Sequence, residues 1–159
     1  MRIKNMPEGL DAMKRPFEVD VSEYPFKDNW LSYRDGYIHY VDEGKGPTVL
    51  LLHGNPTWSY IYRNIIKELR GECRLIALDY PGFGMSKAPS QYGFTPKEQS
   101  EAVLELIHRL ELKNIILVVQ DWGGPSARAS KNILPCDGRM AYWVLASNTP
   151  ELLCKSDVT

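Results

Sequence analysis

Three short runs constrain this chain more than anything else in it: Thr48–Leu52, Arg74–Leu78 and Ile115–Val119, each five residues long and almost wholly apolar. A strand with one face in water alternates polar and apolar residues. A run without that alternation belongs to a strand covered on both faces, which is how parallel sheets sit between helices. Between the runs the period changes. Trp58, Ile61, Tyr62, Ile65, Ile66 and Leu69 recur at helical spacing and make one apolar stripe, with Gly71 as its stop. Thr95-Pro96-Lys97-Glu98 opens a second helix, with a cap residue, proline at the first helical position and Glu three after the cap. Its stripe is Val103, Leu106, Ile107 and Leu110. Strand, helix, strand, helix, strand implies parallel pairing with right-handed crossovers. Upstream, Trp30–Arg34 and Tyr37–Asp42 flank Asp35-Gly36 and read as a tight antiparallel hairpin, closed by Gly44-Lys45-Gly46-Pro47. The expected fold class is α/β: a mostly parallel sheet with an antiparallel hairpin at its front edge. Residues 1–29, punctuated by Pro7, Pro16 and Pro25, are expected to form an arm, and residues 30–159 the domain it drapes over.

Composition removes several function classes. At 159 residues the chain is one domain or part of one. Nineteen basic residues against 20 acidic ones leave a net charge of −1, so no polybasic surface exists for nucleic acid or anionic membrane. With 43% hydrophobic and 25% charged residues the chain is of globular type. No apolar run approaches the roughly 18 residues of a membrane span. Met1–Glu8 has no apolar segment behind its basic residues, so no secretory signal is read there. Cys73, Cys136 and Cys154 are too few and too scattered for a disulfide framework or a metal site, which fits a reducing cytoplasm. Gly82-Phe83-Gly84 lacks the third glycine of a dinucleotide site and there is no Walker sequence, so no cofactor and no metal are expected.

In an open α/β sheet, ligands bind beyond the carboxyl ends of the strands. Three loops lie there: His53-Gly54-Asn55-Pro56-Thr57, Asp79–Ser86 and Gln120-Asp121-Trp122-Gly123-Gly124. In the third, a buried strand runs straight into Asp121, and two glycines follow before a helix could begin. That is the shape of a nucleophile elbow, a sharp strand-to-helix turn whose small neighbours leave one side chain exposed. Aspartate at such a place is also a common turn former, and the His53–Trp58 loop beside it is what favours the elbow. A carboxylate is ionised at neutral pH, so as a nucleophile it needs no base to activate it. Ser86 is not a nucleophile candidate, because no buried strand delivers it to an elbow. Of the three histidines, His53 is expected to hold its loop through ring hydrogen bonds. His39, in the hairpin, and His108, on a helix flank, are not placed to act as a base.

With His53-Gly54-Asn55-Pro56-Thr57-Trp58, Asp79-Tyr80-Pro81-Gly82-Phe83-Gly84-Met85-Ser86 and Gln120-Asp121-Trp122-Gly123-Gly124-Pro125, the sequence resembles the α/β-hydrolase superfamily, and within it the haloalkane dehalogenases. The similarity runs from about Tyr24 to Pro125 and more loosely to Pro150. It implies an α/β-hydrolase fold that cleaves carbon–halogen bonds through an aspartyl ester. Asp121 would be the nucleophile. Asn55 and Trp122 would supply the oxyanion-hole N–H groups and, with their side chains, hold the departing halide. Small halogenated alkanes, halide and water are the implied partners. Epoxide hydrolases share the Asp-Trp-Gly elbow and are the alternative, although they usually carry Phe where Asn55 stands.

The resemblance also sets what to look for after Asp121, where no residue is histidine. Met140–Ser147 reads as one further strand, and Asn148 stands where some dehalogenases place their catalytic acid. Ser126–Asn132 is more polar than a helix packed in the middle of a sheet sandwich should be. The expectation is therefore the N-terminal part of an α/β-hydrolase core domain, without cap or C-terminal strands, and inactive as it stands. A third reading makes it a non-catalytic product that associates with itself or a partner through an open sheet edge.

Overall fold

The computed structural model describes residues 13–128. The strand expected over Met140–Ser147, the position of Asn148, and Cys136 and Cys154 lie outside the described residues. Five strands form one sheet: β1 (Asn29–Tyr33), β2 (Gly36–Gly44), β3 (Thr48–Leu52), β4 (Arg74–Leu78) and β5 (Ile116–Val119), in the order β1-β2-β4-β3-β5. β1 runs antiparallel to β2 and β2 antiparallel to β4, whereas β3 is parallel to both β4 and β5. This is the mixed, mostly parallel sheet with a front hairpin that the apolar runs imply.

The runs alternate between two cores. Leu50, Leu52, Ile76 and Leu78 face one side, where they meet Ala102, Val103, Leu106 and Ile107 of helix α2 (Pro96–Arg109). Val49, Leu51, Leu75 and Ala77 face the other, against Tyr62, Ile66, Tyr24 and Phe26. Most of these side chains are fully buried, and truncating one such as Leu51 to alanine costs about 2–5 kcal/mol. α2 begins as the sequence implies: Thr95 accepts from the Glu98 N–H, Glu98 returns a bond to the Thr95 N–H, and Pro96 leads the helix.

Three local expectations change. The hairpin turn is Arg34-Asp35, because Gly36 already pairs with Tyr33, and Arg34 takes the positive φ of 55° that the turn requires. The helix expected from Trp58 starts as a 3-10 turn, Ser59–Tyr62, and becomes α1 only over Arg63–Leu69. Ser59 is drawn into the core there by the Asp79 carboxylate and the Tyr24 hydroxyl, which tightens the first turn. Leu69 ends the stripe exposed. The third run forms ladder only from Ile116, itself 37% exposed, so the start of β5 is covered on one face alone. Among the described residues β5 pairs only with β3. No helix of the described residues is long and apolar enough to cross a membrane.

Candidate active site

β4, β3 and β5 end side by side, so the three loops meet at one edge of the sheet. Gln120 extends the β5 ladder by donating its N–H to the Leu52 carbonyl at 3.1 Å, and the chain then turns sharply. Asp121 makes that turn with φ of 49°, in the left-handed region that aspartate tolerates better than most residues. The following helix α3 (Gly123–Arg128) starts at Gly123, two residues sooner than two spacer glycines would allow. A Cβ on Gly123 would lie 2.4 Å from the Leu52 carbonyl oxygen, so the helix reaches the sheet only as glycine. Gly54 plays the same part on the facing loop: a Cβ there would sit 2.6 Å from the Asp121 Cβ.

These close approaches bring the two loops into contact. The Asn55 N–H donates to Asp121 Oδ2 at 3.2 Å, and the Gly54 N–H donates to Gln120 Oε1 at 2.9 Å. Among the described residues nothing accepts the Trp122 N–H and nothing donates to Asp121 Oδ1. The Asn55–Pro56 peptide bond is cis. Asn55 and Trp122, whose side chain is 51% exposed, both line a cleft of about 50 Å³ floored by His53, Tyr80, Gln99 and Ser126 and walled by Phe83 and Phe94. All three residues singled out from the sequence are thus gathered at one place.

His53 and His39 are committed to other bonds. His53 is buried; its Nδ1–H donates to the Gly54 carbonyl at 2.7 Å and its Nε2 accepts the Tyr80 N–H at 3.0 Å. Burial holds its pKa below the ordinary imidazole value, so the ring is neutral, as this bonding pattern needs. Both nitrogens are occupied in holding loops together, the role the sequence suggested. His39 has a place that sequence reasoning missed. It is fully buried, with Nδ1 2.9 Å from Asp79 Oδ2 and Nε2 3.0 Å from Asp28 Oδ1. Asp79 also accepts the Ser59 and Met85 N–H groups, and Arg15 pairs with Asp28. Gln120 was likewise passed over; the only hint was its position beside Asp121. His108 stands exposed near the end of α2.

Comparison with known proteins identifies the fold family. Residues 47–129, more than half the chain, match the alpha/beta hydrolase fold family. Haloalkane dehalogenase 2 of Mycobacterium tuberculosis is 46% identical over 117 residues, covering 74% of this chain and 41% of that protein. The crystal structure of the haloalkane dehalogenase DatA from Agrobacterium tumefaciens superposes with a TM-score of 0.57 at 38% identity, over 61% of this chain and 33% of that one. The epoxide hydrolase CorEH gives a TM-score of 0.60 at 32% identity, over 64% and 36%. The chain therefore spans under half the length of these relatives. The strand order, the glycine-lined elbow at Asp121 and the matched family come together in one statement: the chain belongs to the alpha/beta hydrolase fold family and is haloalkane dehalogenase-like.

Proposed function

We propose that the site carries the nucleophilic half of a haloalkane dehalogenase reaction, with Asp121 attacking a saturated carbon that bears a halogen. The observation that carries the reading is the Asn55 N–H on Asp121 Oδ2. It divides the two carboxylate oxygens into one held by a backbone donor and one free to react. Oδ1 forms the new C–O bond while the C–X bond breaks, its electron pair leaving with the halide. The product is an alkyl ester on Asp121. When water later adds to the ester carbonyl, negative charge develops on Oδ2, where Asn55 N–H already points and the unclaimed Trp122 N–H lies next in the chain. The side chains of Asn55 and Trp122, two residues that line the cleft, are the donors for the departing halide.

Ester hydrolysis requires a base to take the water proton, and none of His39, His53 or His108 is available for it in the described structure. Small haloalkanes, water and halide are the reactants under this reading, with cysteine usage pointing to a reducing cytoplasm as the setting. Bromide titration of tryptophan fluorescence tests the halide assignment. Quenching should saturate in the wild-type chain, lose its saturable part in Trp122→Phe and weaken about tenfold or more in Asn55→Ala, the worth of one hydrogen bond to an ion. Equal quenching in all three chains would remove Asn55 and Trp122 from the site. Epoxide hydrolysis is the second reading, favoured by the likeness to CorEH. Alkylation of Asp121 by styrene oxide but not by bromoalkanes would establish it.

A further inference from the structure

We propose that Gln120 is a positioning residue for the chemistry of Asp121: its side-chain carbonyl holds the Gly54 N–H, and so keeps the Asn55 N–H in place while the charge on Asp121 changes. The proposal rests on the dehalogenase-type reading of the site. Among the described residues, two hydrogen bonds join the 53–57 loop to the elbow. They come from consecutive N–H groups and go to consecutive side chains: Gly54 to Gln120 Oε1 at 2.9 Å, and Asn55 to Asp121 Oδ2 at 3.2 Å. Gln120 is itself anchored at both ends of its backbone. Its N–H donates to the Leu52 carbonyl at 3.1 Å, and its own carbonyl accepts the Gly123 N–H at 2.9 Å. The half-buried side chain therefore reaches the facing loop from a fixed base.

Gly54 is a residue that needs such a hold. A Cβ there would meet Gln120 Oε1 at 2.7 Å and the Asp121 Cβ at 2.6 Å, so the position is confined to glycine, the residue with the greatest backbone freedom. Its carbonyl accepts from His53 Nδ1 at 2.7 Å and from the N–H and hydroxyl of Thr57 at 3.1 and 2.9 Å. Its N–H has Gln120 alone among the described residues. The neighbouring bond, from Asn55 to Asp121, changes strength during the reaction. A hydrogen bond to an ionised group is roughly twice as strong as one between neutral groups, and alkylation turns Oδ2 into the neutral carbonyl oxygen of an ester. The loop then loses much of its hold on the elbow through Asp121, just before an oxyanion must form on Oδ2 facing Asn55. Gln120 stays neutral and takes no part in bond making, so its hold is the same in both states. Its influence falls on ester cleavage more than on alkylation.

Gln120→Met keeps the side-chain length and removes the acceptor. Single-hit alkylation of Asp121 by 1-bromobutane, followed by intact mass, should slow only about two- to threefold in its limiting rate. The alkylated chain is then treated with hydroxylamine, which attacks the ester carbonyl without a protein base. The N–C bond forms, butanol leaves with the proton given up by nitrogen, and Asp121 is left as a hydroxamate. The oxyanion on that path meets the Asn55 N–H, so the folded wild-type adduct should be cleaved faster than the same adduct unfolded in urea. That advantage should shrink about tenfold in Gln120→Met, and amide hydrogen exchange at Gly54 and Asn55 should accelerate about fivefold or more. In the wild-type chain, alkylation should accelerate exchange at Asn55 and leave Gly54 protected, an outcome that needs no variant to fold. Equal losses in alkylation and cleavage, or Gly54 protection that disappears on alkylation, would overturn the proposal. If the wild-type chain is not alkylated at all, the dehalogenase reading fails. Exchange at Asn55 in Gln120→Met then decides whether Gln120 holds the loop, and a wild-type rate there would show that it does not.

Discussion

Asn55 donates its backbone N–H to Oδ2 of Asp121 across 66 positions of sequence, at 3.2 Å. That one bond needs two turns of unusual shape to face each other, and glycine makes both possible. The Gly54 Cα lies against the Asp121 side chain, and the Gly123 Cα lies against the Leu52 carbonyl.

The first expectation follows from that packing. Gly123→Ala drives a methyl into backbone and should cost about 1–3 kcal/mol in urea denaturation. Gly124, one residue on, has nothing within 4 Å of a built Cβ. Gly124→Ala should therefore stay within about 0.5 kcal/mol of wild type. Equal costs at the two glycines would show that the elbow is not packed as described.

A second concerns the histidines and pH. Burial pulls the His39 pKa down, but its hydrogen bonds to Asp28 and Asp79 outweigh burial, and the net shift is upward from 6.5. The stabilisation it brings is complete below about pH 6.5 and is lost as pH rises through its folded value. His53 is shifted the other way, by burial, so the unfolded chain takes up a proton first on acidification and stability falls below 6.5. Asp79 is pushed up by burial, but the His39 pairing and the N–H groups of Met85 and Ser59 hold its pKa below 3.8. Asp28 is lowered as well, by His39 and Arg15 against its own burial. Both carboxylates thus add a further loss in strong acid. Stability should peak near pH 6.5, and His39→Gln should flatten the alkaline limb and also reduce the loss in strong acid, because His39 helps hold both carboxylates down. An unchanged alkaline limb in that variant would contradict the assignment.

The same buried pair has a mutational signature. Asp79→Ala leaves His39 and two N–H groups without their acceptor in a fully buried site. The expected loss is about 3–5 kcal/mol. Thermal unfolding should show it, whereas Glu105→Ala, which breaks an exposed pair with Arg109 on α2, should cost about 0.5 kcal/mol or less.

What the sequence made legible and what it hid divide along physical lines. β3 and β4 were readable to the residue because both of their faces are buried, so every position is apolar apart from their first. α2 was readable because Thr95, Pro96 and Glu98 are its own local start signal. The hairpin turn slipped by one residue because Arg34, a residue with no preference for positive φ, occupies the left-handed position. Tyr24 and Phe26 belong to the stretch read as an arm, yet they pack into the core beneath α1. The Asp28–His39–Asp79 cluster could not be read at all. Its members sit on an irregular segment, a strand and a loop, and no periodicity encodes a contact among three distant segments. That Asp121, Asn55 and Trp122 fall on neighbouring loops was legible because strand ends and small residues mark where a sheet presents its loops, whereas the roles proposed for them come from the family resemblance.

The measurement that bears most directly on the central claim is the stoichiometry and site of alkylation when the 159-residue chain is incubated with 1,2-dibromoethane or 1-bromobutane. Halide release and intact mass should be followed together, with the adduct mapped by peptide sequencing. The expected result is a single slow adduct on Asp121, halide release that never exceeds one equivalent, and loss of both in Asp121→Ala. Sustained release beyond one equivalent that Asp121→Ala abolishes would show that His39, His53 or His108 serves as a base after all. An adduct at another residue, or release that survives Asp121→Ala, would contradict Asp121 as the nucleophile.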